Sequence, residues 1–383
     1  MSSARLATSQ FVASFATRPA VVASAPGRVN LLGEHTDYNG GPVLPVGVER
    51  RTAVAAGPAD GWCFVSAIDG AVHQVDVDRP LPGDWTAYLT GVVRELRVLG
   101  AAPPGARVAV ATTLPLGAGL SSSAALTVAA ARALSLLAGR TLPQETLAEA
   151  AFRAEHDQVG VRCGRMDQTS AALARRGMAL LFETATGVMQ WVPLPGRLWI
   201  VETGVAHELR GGELNARRRE CEEALEHCRA WRPSLTHLAE LDPADLRDVS
   251  RRLPPLLVPR VRHVVTETAR TRAAAAALLA GDLRTLGRLL VEGHASLRKD
   301  YESTVPEADF VVERAVARGA YGARLTGAGW GGAVVVLAPE ARAARILAEI
   351  CRDFGDRFGR MPEAWGTRAA AGARREALPA RAK

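Results

Sequence analysis

Between Ala25 and Gly41 the chain reads APGRVNLLGEHTDYNGG, and Arg28, Asn30, Glu34, His35, Asp37, Tyr38 and Asn39 follow one another almost consecutively. A cation, two carboxylates, an imidazole and a phenol within so few residues exceed what a connecting loop needs. Presented by glycines after a short apolar strand (VVASA), this set of donors and acceptors suits a small polyhydroxylated ligand.

A second segment, Leu114 to Leu126, reads LPLGAGLSSSAAL between a strand-like and a helix-like stretch. Gly117 and Gly119 flank Ala118 and let the backbone approach a ligand; Leu120, Ser121, Ser122 and Ser123 follow where the helix begins. Unpaired N–H groups and a partial positive charge at a helix start suit phosphate. Taken alone, the serines read equally well as a helix cap. The Walker pattern GxxxxGK[ST] is absent and no lysine is at hand, so Mg²⁺ and the helix dipole must neutralise more of the phosphate charge.

Two further stretches carry chemistry. GVRCGRMDQ, from Gly160 to Gln168, sets Asp167 at a glycine-flanked turn and helix start, with Glu155 twelve residues earlier closing the preceding helix. Solvent exposure is the plain reading of that glutamate. LTGAGWGGAVVVL, from Leu325 to Leu337, places four glycines in six residues before a strand, which favours close approach to a ligand or to the phosphate loop over a simple hairpin.

The elements that must position these groups are legible from periodicity. FVASF predicts a short helix, and PVLPVGVERRTAVAAG, CFVSAI, HQVDV and ARVAVATTLP predict strands. Trp85, Leu89, Val92, Leu96 and Leu99 share a helical stripe ended by Gly100, and SSSAALTVAAARALSLLAG is a helix stopped by Gly139. Thr141 and Gln144 suggest a capping box. MALLFE, VMQWVPL and RLWIVET read as strands. Beyond them helices dominate, at Gly212 to Arg229, Arg260 to Leu279, Asp282 to Gly293 and Pro306 to Arg318, before the strand AVVVLA and a last helix near 339–355. Strands first and helices later imply an α+β protein of two lobes, residues 1–190 and 191–383, with the active site in the cleft between them.

The chain has 383 residues, 48% of them hydrophobic, and no apolar run as long as a membrane span. Its five scattered cysteines oppose a disulfide framework and favour a reducing compartment. Cys221 and Cys228, with His227 between them, lack a second ligand pair and read as ordinary thiols. The net charge of +7 comes from arginines spread through an alanine-rich chain, with no basic stripe interleaved with aromatics, so no nucleic-acid partner is expected. Serine, alanine and arginine before Glu34 resemble a transit peptide in composition, but that segment reads as a helix and strand leading into the polar loop. A cytoplasmic protein without a membrane partner is expected. The oligomeric state is open and compatible with a monomer. The run ARREALPARAK reads as a solvated, frayed tail.

Together, GRVNLLGEHTDYNGG, LPLGAGLSSSAA, GVRCGRMDQ and LTGAGWGG resemble the motifs of the galactokinases, in the GHMP small-molecule kinase superfamily, in order and in spacing. DWTAYLTGV, RRREC and SLRKDYESTVPEAD extend the likeness over nearly the whole chain. The resemblance implies the two-lobed GHMP kinase fold and ATP-dependent phosphorylation of the C1 hydroxyl of D-galactose. Asp167 then faces the reacting hydroxyl, with Arg28 beside it and beside the γ-phosphate. Glu34, His35, Asp37 and Gly164 bind the sugar, residues 117–123 bind ATP, and Ser123 and Glu155 hold Mg²⁺. Trp85 matches an aromatic near the adenine, or is a core tryptophan.

Two positions depart from the family. Leu214, in GGELNARRREC, stands where galactokinases usually carry a tyrosine that helps hold the sugar, and leucine cannot donate a hydrogen bond. Either another group replaces it or the sugar differs there, as in N-acetylgalactosamine, L-arabinose or a uronic acid. A catalytically silent sugar- and ATP-binding regulator is the alternative of another class. Thr127 replaces a frequent acid after SSSAAL, a mild departure.

Overall fold

Alternation along Val21–Asn30 (β1) sends side chains to two apolar layers, and the whole strand is buried. Val22 packs with Ala7 and Phe11 of helix Ser3–Phe15 (α1), whereas Val21, Ala23 and Ala25 face the opposite layer. Pro42–Val43 (β2), Pro45–Pro58 (β3), Trp62–Ser66 (β4), Val72–Gln74 (β5) and Ala106–Thr112 (β6) follow. The first sheet runs β1-β3-β6-β4-β5, antiparallel except for the β4–β6 pair. Its second face is covered by Thr86–Val98 (α2) and Ser122–Leu137 (α3), with Gln144–Arg153 (α4) and Met166–Leu173 (α5) behind them. Each fully buried Leu, Val or Phe in such a layer contributes about 1.5–3 kcal/mol. The computed structural model describes residues 1–79, 84–160, 164–205 and 211–378.

A hairpin of Met178–Glu183 (β7) and Val188–Pro193 (β8) joins β2 in a three-stranded sheet. Leu198–Glu202 (β9) opens the second lobe. It continues through Gly211–Arg229 (α6), Leu246–Arg252 (α7), Val258–Leu279 (α8), Leu283–Ser296 (α9), Pro306–Ala317 (α10), Gly322–Thr326 (β10), Ala333–Leu337 (β11), Glu340–Phe358 (α11) and Ala364–Thr367 (β12). Its antiparallel sheet has the order β10-β11-β9-β12. One face packs on α10 and α11 through Leu325, Val334, Ile346 and Phe354. The other shares a core with the first lobe, where Ile200 and Val335 meet Leu286 of α9 and Val29, Leu31 and Val46.

Four expectations need correction. The tail is not wholly frayed: Arg374–Arg375 (β13) pairs with β1 on the edge of the first sheet, and Ser24 Oγ donates to Glu376 Oε1 at 2.5 Å. The second lobe therefore does not extend to residue 383, because the chain re-enters the first lobe after β12. No capping box forms at Thr141. Pro143 precedes the first helical residue, and Gln144 Nε2 instead donates to the Ala373 carbonyl at 2.7 Å. Leu99 is exposed although Leu89, Val92 and Leu96 are buried, because α2 ends at Val98 and Gly100 turns the chain at φ +62°. Strands β10 and β12 are additions to the sequence reading. Cys163 and part of the GVRCGRMDQ segment lie outside the described residues.

Candidate functional site

Arg28 owes its position to a break in the β1–β3 pairing. The register shifts between Pro26 and Arg28, and a Cβ on Gly27 would lie 2.6 Å from the Leu120 carbonyl. Glycine thus lets β1 press on the phosphate loop, where Arg28 N donates to that same carbonyl at 3.1 Å. The guanidinium donates from Nε to Asp167 Oδ1 at 2.8 Å and from Nη1 to the Gly119 carbonyl at 2.6 Å. One buried cation therefore joins the phosphate loop to the first turn of α5.

Around this pair, Glu34, His35, Asp37 and Gly164 line a cavity of about 130 Å³, together with Tyr38, Met166, Leu214, Gly327 and Ala328. Glu34 Oε2 accepts from Asn30 Nδ2 at 2.9 Å and Oε1 from Gly327 N at 3.0 Å. Burial raises its carboxyl to about 7 against the pull of Arg324. His35 sits at φ +63°, stacks on Tyr301 with 4.3 Å between centroids, and shares a 2.8 Å hydrogen bond from Nδ1 with the Tyr38 hydroxyl. Burial, helped by His263, keeps the imidazole well below its usual range and hence neutral. The Ala328 carbonyl lies beside that ring without closing a well-aligned bond to Nε2. Burial and the neighbouring Asp167 raise Asp37 to about 6.

A second cavity, about 390 Å³, lies on the other side of the loop, lined by Trp85, Tyr88, Ile68, Leu116, Ser122 and Ser123 among others. Trp85 is half-buried against the α2–α3 layer and lines this cavity. Gly117 and Gly119 adopt φ of +69° and +71°, and Ser121 is left-handed at +57°. Leu120 and Ala118 anchor the loop in the core, and the Ser121 hydroxyl is buried without a partner. A polar atom left bare at a helix start is an open place for a phosphate oxygen. The glycine-rich 327–332 segment does approach the phosphate loop: a Cβ on Gly327 would lie 2.7 Å from the Gly119 carbonyl.

Glu155 is buried, not solvated. It sits in a π-helical turn, Ala154–Val159, that widens the end of α4. Thr127 Oγ1 donates to Glu155 Oε1 at 2.8 Å, and Ser123 and Gln168 also bond its carboxylate, which burial raises to about 7. Thr127 is therefore more than a mild departure. Among the described residues no group of three or more His, Cys, Asp or Glu could hold a metal, and Cys221 and Cys228 are buried free thiols of α6.

Sequence reasoning missed Glu267 and Arg324, both fully buried behind Glu34, and Tyr301 beneath His35. A signal for the first was present: His263, Glu267 and Thr271 recur every fourth residue among the apolar Val261, Val264, Val265, Ala274 and Ala275 of α8.

The galactokinase galactose-binding signature matches residues 9–58, the GHMP kinase N-terminal domain 87–175 and the GHMP kinase C-terminal domain 274–356. The galactokinase of Chloroflexus aggregans is 42% identical over 354 residues, covering 90% of this chain and 91% of that one. The chain belongs to the galactokinase family. Thermotoga maritima galactokinase is 37% identical over 88% of this chain and 94% of its own. The crystal structure of Lactococcus lactis galactokinase complexed with galactose superposes with a TM-score of 0.91 at 28% identity, covering 96% and 98% of the two chains. A mevalonate kinase shares the fold at a TM-score of 0.64 and 16% identity. The galactokinase family's two-lobed α+β fold is the one described above, and no helix among the described residues is long and apolar enough to cross a membrane.

Proposed function

We propose that this chain transfers the γ-phosphoryl group of ATP to the anomeric C1 hydroxyl of D-galactose, giving galactose 1-phosphate and ADP. The observation that carries the reading is Arg28, bonded to Asp167 on the small polar cavity and to the Gly119 carbonyl of the phosphate loop. Phosphoryl transfer is mostly positioning and charge stabilisation, so a cation at the junction of two substrate cavities does the larger share. The sugar oxygen attacks the γ-phosphorus, the bond to the β–γ bridging oxygen breaks, and ADP leaves. Asp167 orients the hydroxyl and takes its proton late, as charge leaves the nucleophile. Glu34, His35 and Asp37 accept or donate to the remaining hydroxyls, and Gly164 leaves room for Asp37. Residues 117–123 cradle the triphosphate and Trp85 flanks the adenine.

The residues present fit Mg²⁺. Glu155 and Ser123 offer oxygen donors only, and one carboxylate beside a hydroxyl suits an ion that keeps waters and phosphate oxygens for its other positions. Bound there, Mg²⁺ would neutralise charge on the phosphates. Leu214 supplies no hydroxyl, but the same cavity already holds five polar side chains and the Tyr38 phenol. The four described cysteines are free thiols, which suits the cytoplasm.

A coupled ADP-release assay over D-galactose, N-acetylgalactosamine, L-arabinose and galacturonate tests the reading. Galactose should give the highest kcat/KM. Galactose bound without ADP release would establish the silent regulator instead.

A further inference from the structure

Behind Glu34 lies a chain of charges that the transfer reaction does not call upon. Arg324, on β10, is fully buried and donates from Nη1 to Glu267 Oε1 at 2.6 Å. Its Nη2 lies 3.0 Å from Glu34 Oε2 but makes no well-aligned hydrogen bond. Glu267, on α8, is itself fixed: Oε1 accepts from Gly33 N at 2.8 Å and Oε2 from Arg270 Nε at 3.0 Å. The cradle is shaped for this guanidinium, since a Cβ on Gly293 would lie 2.5 Å from Arg324 Nη1.

Removing a guanidinium and two carboxylates from water is costly, and well-packed apolar residues would often be as stable there. The geometry shows what the arrangement does. Glu267 holds Arg324 by its hydrogen-bonding edge, so Glu34 feels the positive charge without surrendering its lone pairs to it. The Glu34 oxygens are oriented by Asn30 and by Gly327 N and keep accepting capacity for a ligand.

We infer that Glu267 and Arg324 are positioning residues for sugar recognition, Glu267 restraining Arg324 so that Glu34 remains free to accept a hydroxyl of the substrate. The inference rests on Glu34 being a sugar ligand, as proposed above. The specificity of the small cavity is then set partly from α8 and β10 in the second lobe, by groups that never touch the sugar.

The test is a double-mutant cycle on galactose binding by titration calorimetry, without nucleotide, supported by steady-state kinetics. Glu267→Gln keeps the shape and releases Arg324 to close on Glu34. It should weaken galactose binding about tenfold, while KM for ATP stays within about threefold. In a Glu34→Gln background the same substitution should add nothing, because the group it frees Arg324 to capture is gone. Arg324→Lys, a point charge unable to span both carboxylates, should resemble Glu267→Gln. If Glu267→Gln lowers Tm but leaves galactose affinity unchanged, or if its effect persists in full without Glu34, the pair is structural and the inference fails. If Glu34→Gln alone leaves galactose affinity intact, it is the assignment of Glu34 to the sugar that fails.

Discussion

Asp37 and Gly164 are packed so closely that the aspartate carboxylate occupies the space a Cβ on residue 164 would need. Gly164 is therefore required for the room it leaves. Gly164→Ala should displace Asp37 and cut kcat/KM for galactose at least a hundredfold, with KM for ATP little changed. Thermal unfolding should shift by only a few degrees, since an aspartate side chain can swing into the cavity. Unaltered galactose kinetics would show that Asp37 does not serve the sugar.

Asp167→Asn keeps the shape beside Arg28 and removes the charge that receives the proton. Turnover should fall by at least three orders of magnitude while galactose binding stays within about tenfold. Arg28→Ala should lower kcat more than it weakens galactose binding, and an effect confined to KM would recast Arg28 as a ground-state ligand.

The pH response follows from Asp37. Its carboxyl is raised to about 6 by burial and by Asp167, so the folded state binds this proton more tightly than the unfolded chain. Stability from the group is greatest at low pH, falls as pH climbs from the unfolded value near 4 through 6, and stays lower above that. Asp37→Asn should therefore raise Tm at pH 8 by a few degrees, with the gain shrinking toward pH 4, and should weaken galactose binding at the same time. In the wild type, KM for galactose should fall between pH 5 and 7 as the carboxylate forms. A Tm difference independent of pH would contradict the assignment.

Thr127→Val keeps volume and removes one of the donors to Glu155. A buried carboxylate left one bond short costs about 1–3 kcal/mol, so Tm should drop. The Mg²⁺ concentration for half-maximal rate should rise as well, whereas Thr127→Ser should restore both. Equal Mg²⁺ dependence in all three proteins would confine Thr127 to packing.

How much was legible depends on how local the chemistry is. Glu34, His35 and Asp37 crowd into one loop, and Ser121, Ser122 and Ser123 share one helix start, so residue types alone expose them. The burial of Glu155 is not legible, because a π-turn leaves no mark in the pattern of apolar residues and its partner Thr127 is 28 residues away. Arg324 and Glu34 are nearly three hundred residues apart, and an arginine in a strand gives no hint of its carboxylates. β13 was hidden for another reason. Its pairing with β1 is made by backbone groups, and exposed arginines carry no record of that.

That returning strand has a mechanical meaning. The second lobe is joined to the first by chain at two places, one after β8 and one after β12, where Ala370 N bonds to the Gly47 carbonyl and Gly177 N to that of Ala369. A body held by a single hinge can swing in many directions; one held by two is left with rotation about the line between them. With the core that the lobes share closing off that rotation too, Gly327 and Ala328 of the second lobe are held in register with Arg28 and Asp167 across the small cavity.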